Sequence, residues 1–109
     1  MFGRREFLIA GTAVLLATAG AVQSHPAPAD HAITINGMSY GLMPNDLKVG
    51  DTITWTNRDT VPHTVTARDK SFDLRLQPGK TGKITLQKAG TIAIYCIYHP
   101  TMRGTLKVS

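Results

Sequence analysis

Only one cysteine, Cys96, occurs in the 109 residues. A single thiol excludes the disulfide framework that holds many small exported domains together, and it excludes an iron–sulfur cluster, which needs several thiolates. Aromatic residues are few, with one Trp, three Tyr and three Phe, and no basic run is interleaved with them as a nucleic-acid surface requires. Acidic side chains are also scarce, 7 against 12 Lys and Arg. Beyond the N-terminus the basic residues stand singly, so the net charge of +5 reads as solubility and as steering toward an acidic partner. No apolar run reaches the ~20 residues that a membrane-crossing helix needs. The length is that of one domain, too short for a second, catalytic one.

What the N-terminus does have is an export signal. Met1-Phe2-Gly3-Arg4-Arg5-Glu6-Phe7-Leu8 opens a short apolar stretch from Leu8 to Ala19. Ala17-Thr18-Ala19 and Ala19-Gly20-Ala21 both fit a small-x-small cleavage site. The Arg-Arg pair followed by Phe-Leu fits a twin-arginine signal. Residues 1–21 are therefore expected to be a cleaved signal peptide directing the protein to the periplasm, with no membrane span afterwards. Residues 22–31 read as a flexible leader, in which His25 and His31 are expected to be solvated. Residues 32–109 read as the folded domain.

From Ala32 onward apolar and polar residues alternate with period two, the mark of strands with one buried face. Ile33 and Ile35 alternate in this way, as do Ile53 and Trp55, His63, Val65 and Ala67, and Phe72, Leu74 and Leu76. The same holds for Ile84 and Leu86, Ile92, Ile94 and Cys96, and Leu106 and Val108. Turn residues separate these runs at Lys48-Val49-Gly50-Asp51, Asn57-Arg58-Asp59, Pro78-Gly79-Lys80 and Lys88-Ala89-Gly90-Thr91. No stretch past the signal has a helical period. The fold class is all-β, a sandwich or small barrel of seven or eight strands, with Trp55 and Phe72 in its core.

The segment Tyr95-Cys96-Ile97-Tyr98-His99-Pro100-Thr101-Met102 places a thiolate, an imidazole and a thioether at three-residue intervals. A strand running into a tight loop can turn all three around one ion. His63, opening its own strand after Val61-Pro62, supplies a fourth donor. Any one of these residues alone would more often be core or surface than ligand; together they are a metal site. Two imidazoles and a thiolate with a weak axial thioether form the ligand set of a blue-copper centre. Zinc is disfavoured, because a structural zinc takes four strong ligands and a thioether is a poor one.

On these residues the chain resembles the cupredoxins, the type 1 blue copper proteins. The likeness is carried by Lys48 through His63 and by Ala89 through Gly104. The short spacing, with two residues between Cys96 and His99 and two between His99 and Met102, is that of the amicyanin branch; plastocyanin-like, pseudoazurin-like and azurin-like members are wider relatives, the plastocyanin-like and azurin-like ones with longer loops. The resemblance implies a Greek-key sandwich of about eight strands and one copper ion cycling between Cu(I) and Cu(II). It further implies imidazole coordination through Nδ1 of His63 and His99. Four positions depart from the family pattern: Thr64 stands where Asn usually ties the two ligand loops, Ile97 replaces Thr or Ser, Tyr98 replaces Pro, and Thr101 replaces Phe.

The expected function is thus an exported, monomeric one-electron carrier. By resemblance it would shuttle between a donor dehydrogenase and an acceptor such as a c-type cytochrome. Partners would dock transiently on an apolar rim around His99 formed by Val61, Pro62, Tyr98, Pro100 and Met43. Copper trafficking or storage is the alternative, but only Met38 and Met43 are spare methionines in the domain, where such proteins carry open Met- and His-rich sites. A copper enzyme would need further histidines in His-x-His pairs, and none occurs.

Overall fold

The structure is a computed structural model, described over residues 27–109; the expected signal peptide and the first part of the leader lie outside the described residues. Eight strands follow in chain order: β1 (Asp30–Asn36), β2 (Ser39–Tyr40), β3 (Thr52–Asn57), β4 (His63–Ala67), β5 (Asp73–Leu76), β6 (Thr81–Thr85), β7 (Gly90–Tyr95) and β8 (Arg103–Val108). They form two four-stranded sheets, ordered β2-β1-β3-β6 and β5-β4-β7-β8. No helix of the described residues is long and apolar enough to cross a membrane.

The alternation seen in the sequence sets which faces meet. Ile33 and Ile35 of β1 and Ile53 and Trp55 of β3 turn inward from one sheet. Val65, Ala67, Ile92, Ile94 and Leu106 answer from the other, and Trp55 is fully enclosed with Tyr40 edge-on to its ring. Phe72 is only partly buried and packs against this core. Strand β1 pairs in parallel with β3, whereas the remaining strand pairs within the sheets are antiparallel. Gly82 lets the two sheets close at their edge: a β-carbon there would come within 2.7 Å of Leu74 Cδ1.

Two departures from the sequence reading have clear causes. The leader ends earlier than expected, because β1 starts at Asp30 and His31 lies inside it. His31 is not solvated; Nε2 sits 2.9 Å from the Asp51 carboxylate, which also accepts the Ala29 and Lys48 amides. The second is β2, a short strand hidden in Ser39–Tyr40. It folds back on β1 through Gly37-Met38, with Ile35 facing Tyr40 and Asn36 facing Ser39. Both turn residues have positive φ, 63° and 61°, the geometry of a type I′ hairpin turn. Only one of the two is a glycine.

Because β1 and β3 run parallel, their C-terminal ends share one pole. The start of β4, the end of β7 and the start of β8 reach the same pole. All four expected ligands sit there, and His31 and Asp51 sit at the other.

Candidate metal centre

His63 is fixed from three directions. The β3–β4 loop that delivers it is shaped by the fully buried Asn57, whose side-chain amide donates to Val61 O at 2.9 Å and Leu76 O at 3.1 Å. The carbonyl of the same side chain accepts the Asp59 amide at 2.9 Å. Asp59 then reaches across the pole. One oxygen accepts the Gly37 amide at 2.7 Å; the other accepts the Met38 amide at 2.9 Å and faces His63 Nε2 at 2.7 Å. Two successive left-handed residues point both N–H groups the same way and make a small anion-binding nest, which Asp59 fills. These amides, the Met38 one foremost, together with His63 hold the Asp59 carboxyl below its ordinary range against the opposing effect of burial.

An ionised carboxylate can only accept, so Nε2 of His63 donates to it, and in the neutral imidazole Nδ1 then presents a bare lone pair. That lone pair faces Cys96 Sγ at 3.8 Å, with both side chains fully buried. The sulfur also accepts the Thr64 amide at 3.3 Å. Burial is the strongest single influence on the thiol and disfavours the thiolate. Hydrogen bonds from the Thr64, His99 and Tyr98 amides, with His63 beside the sulfur, together outweigh it, so the thiol lies below its ordinary value.

The loop after β7 closes on itself: Cys96 N donates to Met102 O at 3.0 Å and Met102 N to His99 O at 2.8 Å. These two bonds hold Met102 beneath the loop, where it is buried, and leave His99 at the rim, half-buried. The His99 ring stands edge-on to His63, centroids 5.3 Å apart. The four residues singled out in the sequence therefore share one pole, with His63 and Cys96 as the close pair. Among the described residues no three His, Cys, Asp or Glu side chains stand close enough together to hold an ion, the His63, Cys96 and His99 set included.

Around His99, Val61, Tyr98 and Pro100 are exposed and Pro62 is half-buried. Met43 does not join this rim. It packs inward on the core, and a β-carbon on Gly104 would come within 2.6 Å of its Cε. The glycine leaves room for the methionine, which is why the side chain turns in.

The comparisons with known proteins bear on the family and the fold. The family profile described as a cupredoxin-like domain matches residues 8–108. The chain belongs to the cupredoxin family. Amicyanin of Paracoccus denitrificans is 35% identical over 88 residues, spanning 73% of this chain and 67% of the relative. Chloroplastic plastocyanin of Fritillaria agrestis is 31% identical over 107 residues, covering 82% and 64%. Among solved structures, a reduced amicyanin variant superposes with a TM-score of 0.62 at 31% identity, covering 73% of this chain and 82% of the other. A purple cupredoxin from Nitrosopumilus maritimus gives a TM-score of 0.65 at 28% identity, covering 73% and 100%.

Within this cupredoxin the unusual Thr64 is not a gap in the site. Its hydroxyl accepts the Ile97 amide at 2.9 Å, joining the two ligand-bearing segments across the sheet. Asn57 and Asp59 are the site residues that sequence reasoning passed over, reading them as turn formers. A buried thiol, an unprotonated imidazole nitrogen, a rim imidazole and a buried thioether suit one soft, redox-active ion, and copper matches them better than zinc.

Proposed function

We propose that this cupredoxin is an exported one-electron carrier that binds a single type 1 copper through His63, Cys96, His99 and Met102. The observation that carries the reading is the buried pair of His63 Nδ1 and Cys96 Sγ at 3.8 Å, with Nε2 anchored on Asp59. When bound, copper supplies a Cu(I)/Cu(II) couple. The protein's part is to hold still. His63 is fixed through Asn57 and Asp59, and Cys96 is fixed by the Thr64 amide and the Met102 carbonyl. Little rearrangement is then needed between the two charge states, and Nδ1 is the nitrogen available on His63.

His99, set in the rim of Val61, Pro62, Tyr98 and Pro100, is the port for electrons. A donor dehydrogenase and an acceptor such as a c-type cytochrome dock there in turn, as small transient contacts, with the protein acting as a monomer. The N-terminal Arg4-Arg5 signal, cleaved near residues 19–21, sends the protein to the periplasm by the twin-arginine route, and residues 22–29 lead into β1. The carrier performs no catalysis of its own.

Titrating the purified mature domain with Cu(II) and recording the visible spectrum tests the reading. An intense thiolate-to-copper band is expected, reversible through a reduction and reoxidation cycle without loss of metal, and absent from Cys96→Ser. A colourless protein after loading would overturn it, and loss of copper on each reduction would favour trafficking.

A further inference from the structure

Strand β4 is buried along its whole length, although alternation should have left Thr64 and Thr66 facing solvent. What lies over them is polar. Thr64 Oγ1 accepts the Ile97 amide at 2.9 Å, the Thr64 and Thr66 hydroxyls are 2.9 Å apart, and Thr66 Oγ1 lies 2.9 Å from Asp73 Oδ1. Each hydroxyl has one proton to give, and an ionised carboxylate can only accept. The Thr66 hydroxyl is therefore a shared donor, turned to Thr64 Oγ1 on one side and to Asp73 Oδ1 on the other, while Thr64 Oγ1 also accepts the Ile97 amide. The run of hydrogen bonds links the loop after β7 to Asp73, and neighbouring bonds in such a run polarise one another.

The chain does not stop at Asp73. Its other oxygen accepts from Arg75 at 2.9 Å and 3.3 Å. The path thus leaves the loop at Ile97 and runs through Thr64, Thr66 and Asp73 to Arg75. It includes neither sulfur nor imidazole.

We infer that Thr64, Thr66, Asp73 and Arg75 act as positioning residues for the Cys96–His99 loop. The path holds the Ile97 amide, and with it the backbone that carries Cys96, at a fixed distance from β4. Asp73 and Arg75 are the outer end of this device, with half-exposed side chains beside the rim. An acidic partner reaching Arg75 would compete with Asp73 and so act on the ligand loop from outside. This inference rests on the copper-carrier reading for its consequence but not for its geometry, and the tests separate the two.

Amide hydrogen exchange in the metal-free protein reads the path directly. Thr66→Val, which keeps the shape of the side chain and removes the hydroxyl, and Asp73→Ala, which cuts the path at the surface, should each speed exchange at Ile97 by roughly tenfold, the effect of losing about one hydrogen bond. Thr66→Ser should restore the slow rate. In the copper-loaded protein, the same two variants should keep the metal but shift the thiolate-to-copper band and the midpoint potential, and Thr66→Ser should return both to the wild-type values. Unchanged exchange at Ile97 in both variants would overturn the inference, whether or not copper binds. Faster exchange with an unmoved band and potential would overturn the positioning role and leave a structural tie alone. A wild-type domain without a blue band would sink the carrier reading while the exchange result still judged the path.

Discussion

The carboxylate of Asp59 joins the hairpin turn at Gly37-Met38 to Nε2 of His63, 2.7 Å away. A turn in one sheet thereby sets the tautomer of a candidate ligand in the other. The residue it controls is fully buried, and Asp59 is the hydrogen-bond partner of its Nε2.

Asp59→Ala should therefore weaken copper binding by roughly 10- to 100-fold, the usual effect of removing the partner that orients a ligating histidine. It should also free the two turn amides and loosen the hairpin. Competition titration against a chelator of known affinity measures the first effect, and amide exchange at Gly37 and Met38 the second. Unchanged affinity would mean that His63 is held by Asn57 and the loop backbone alone.

Tyr40 is a second link between the hairpin and the site. Its hydroxyl donates to the buried Thr64 carbonyl at 2.6 Å, and burial pushes the phenol well above its ordinary range. Tyr40→Phe keeps the ring that packs edge-on to Trp55 but strands that carbonyl without a donor. A loss of about 1–3 kcal/mol is expected from the unsatisfied group, read from chemical denaturation of the metal-free protein. A smaller loss would mean that water replaces the phenol.

The sequence made the strands and the shared pole of the four candidate ligands legible because both are periodic signals: alternation marks buried faces, and the Cys96, His99 and Met102 spacing marks one loop after β7. Strand β2 escaped because two residues, Ser39 and Tyr40, cannot display a period. Its turn carries a methionine where a second glycine would have advertised positive φ. Asn57 and Asp59 were visible only as turn formers, since their roles depend on partners far along the chain. Thr64 read as a departure from the family pattern. Only the register of β4 against the loop shows that its hydroxyl ties the two ligand segments together.

Acid should weaken the opposite pole through Asp51. His31, then the Ala29 and Lys48 amides, hold this carboxyl below its ordinary value near 3.8 against a smaller opposing effect of burial. A depressed folded value means the carboxylate contributes stability above the ordinary range, and the contribution disappears as pH falls through the folded value. Wild-type stability should thus fall steeply below about pH 4. Asp51→Asn should be less stable than wild type at pH 7 and show a shallower decline through that window. Parallel pH profiles from denaturant melts would show Asp51 to be uninvolved.

Met102 is buried and held by its own backbone, donating to His99 O and accepting from Cys96 N. Those bonds survive any change of side chain, so Met102→Leu should fold with the loop intact. In the carrier reading its thioether is the weak axial donor, which tunes the metal more than it retains it. The Leu variant should still bind copper and show the thiolate band. Its midpoint potential should rise, because losing an electron-donating ligand destabilises Cu(II) more than Cu(I). Voltammetry on the loaded variant decides the matter. Complete loss of copper would make Met102 a principal ligand, and an unmoved potential would remove it from the coordination sphere.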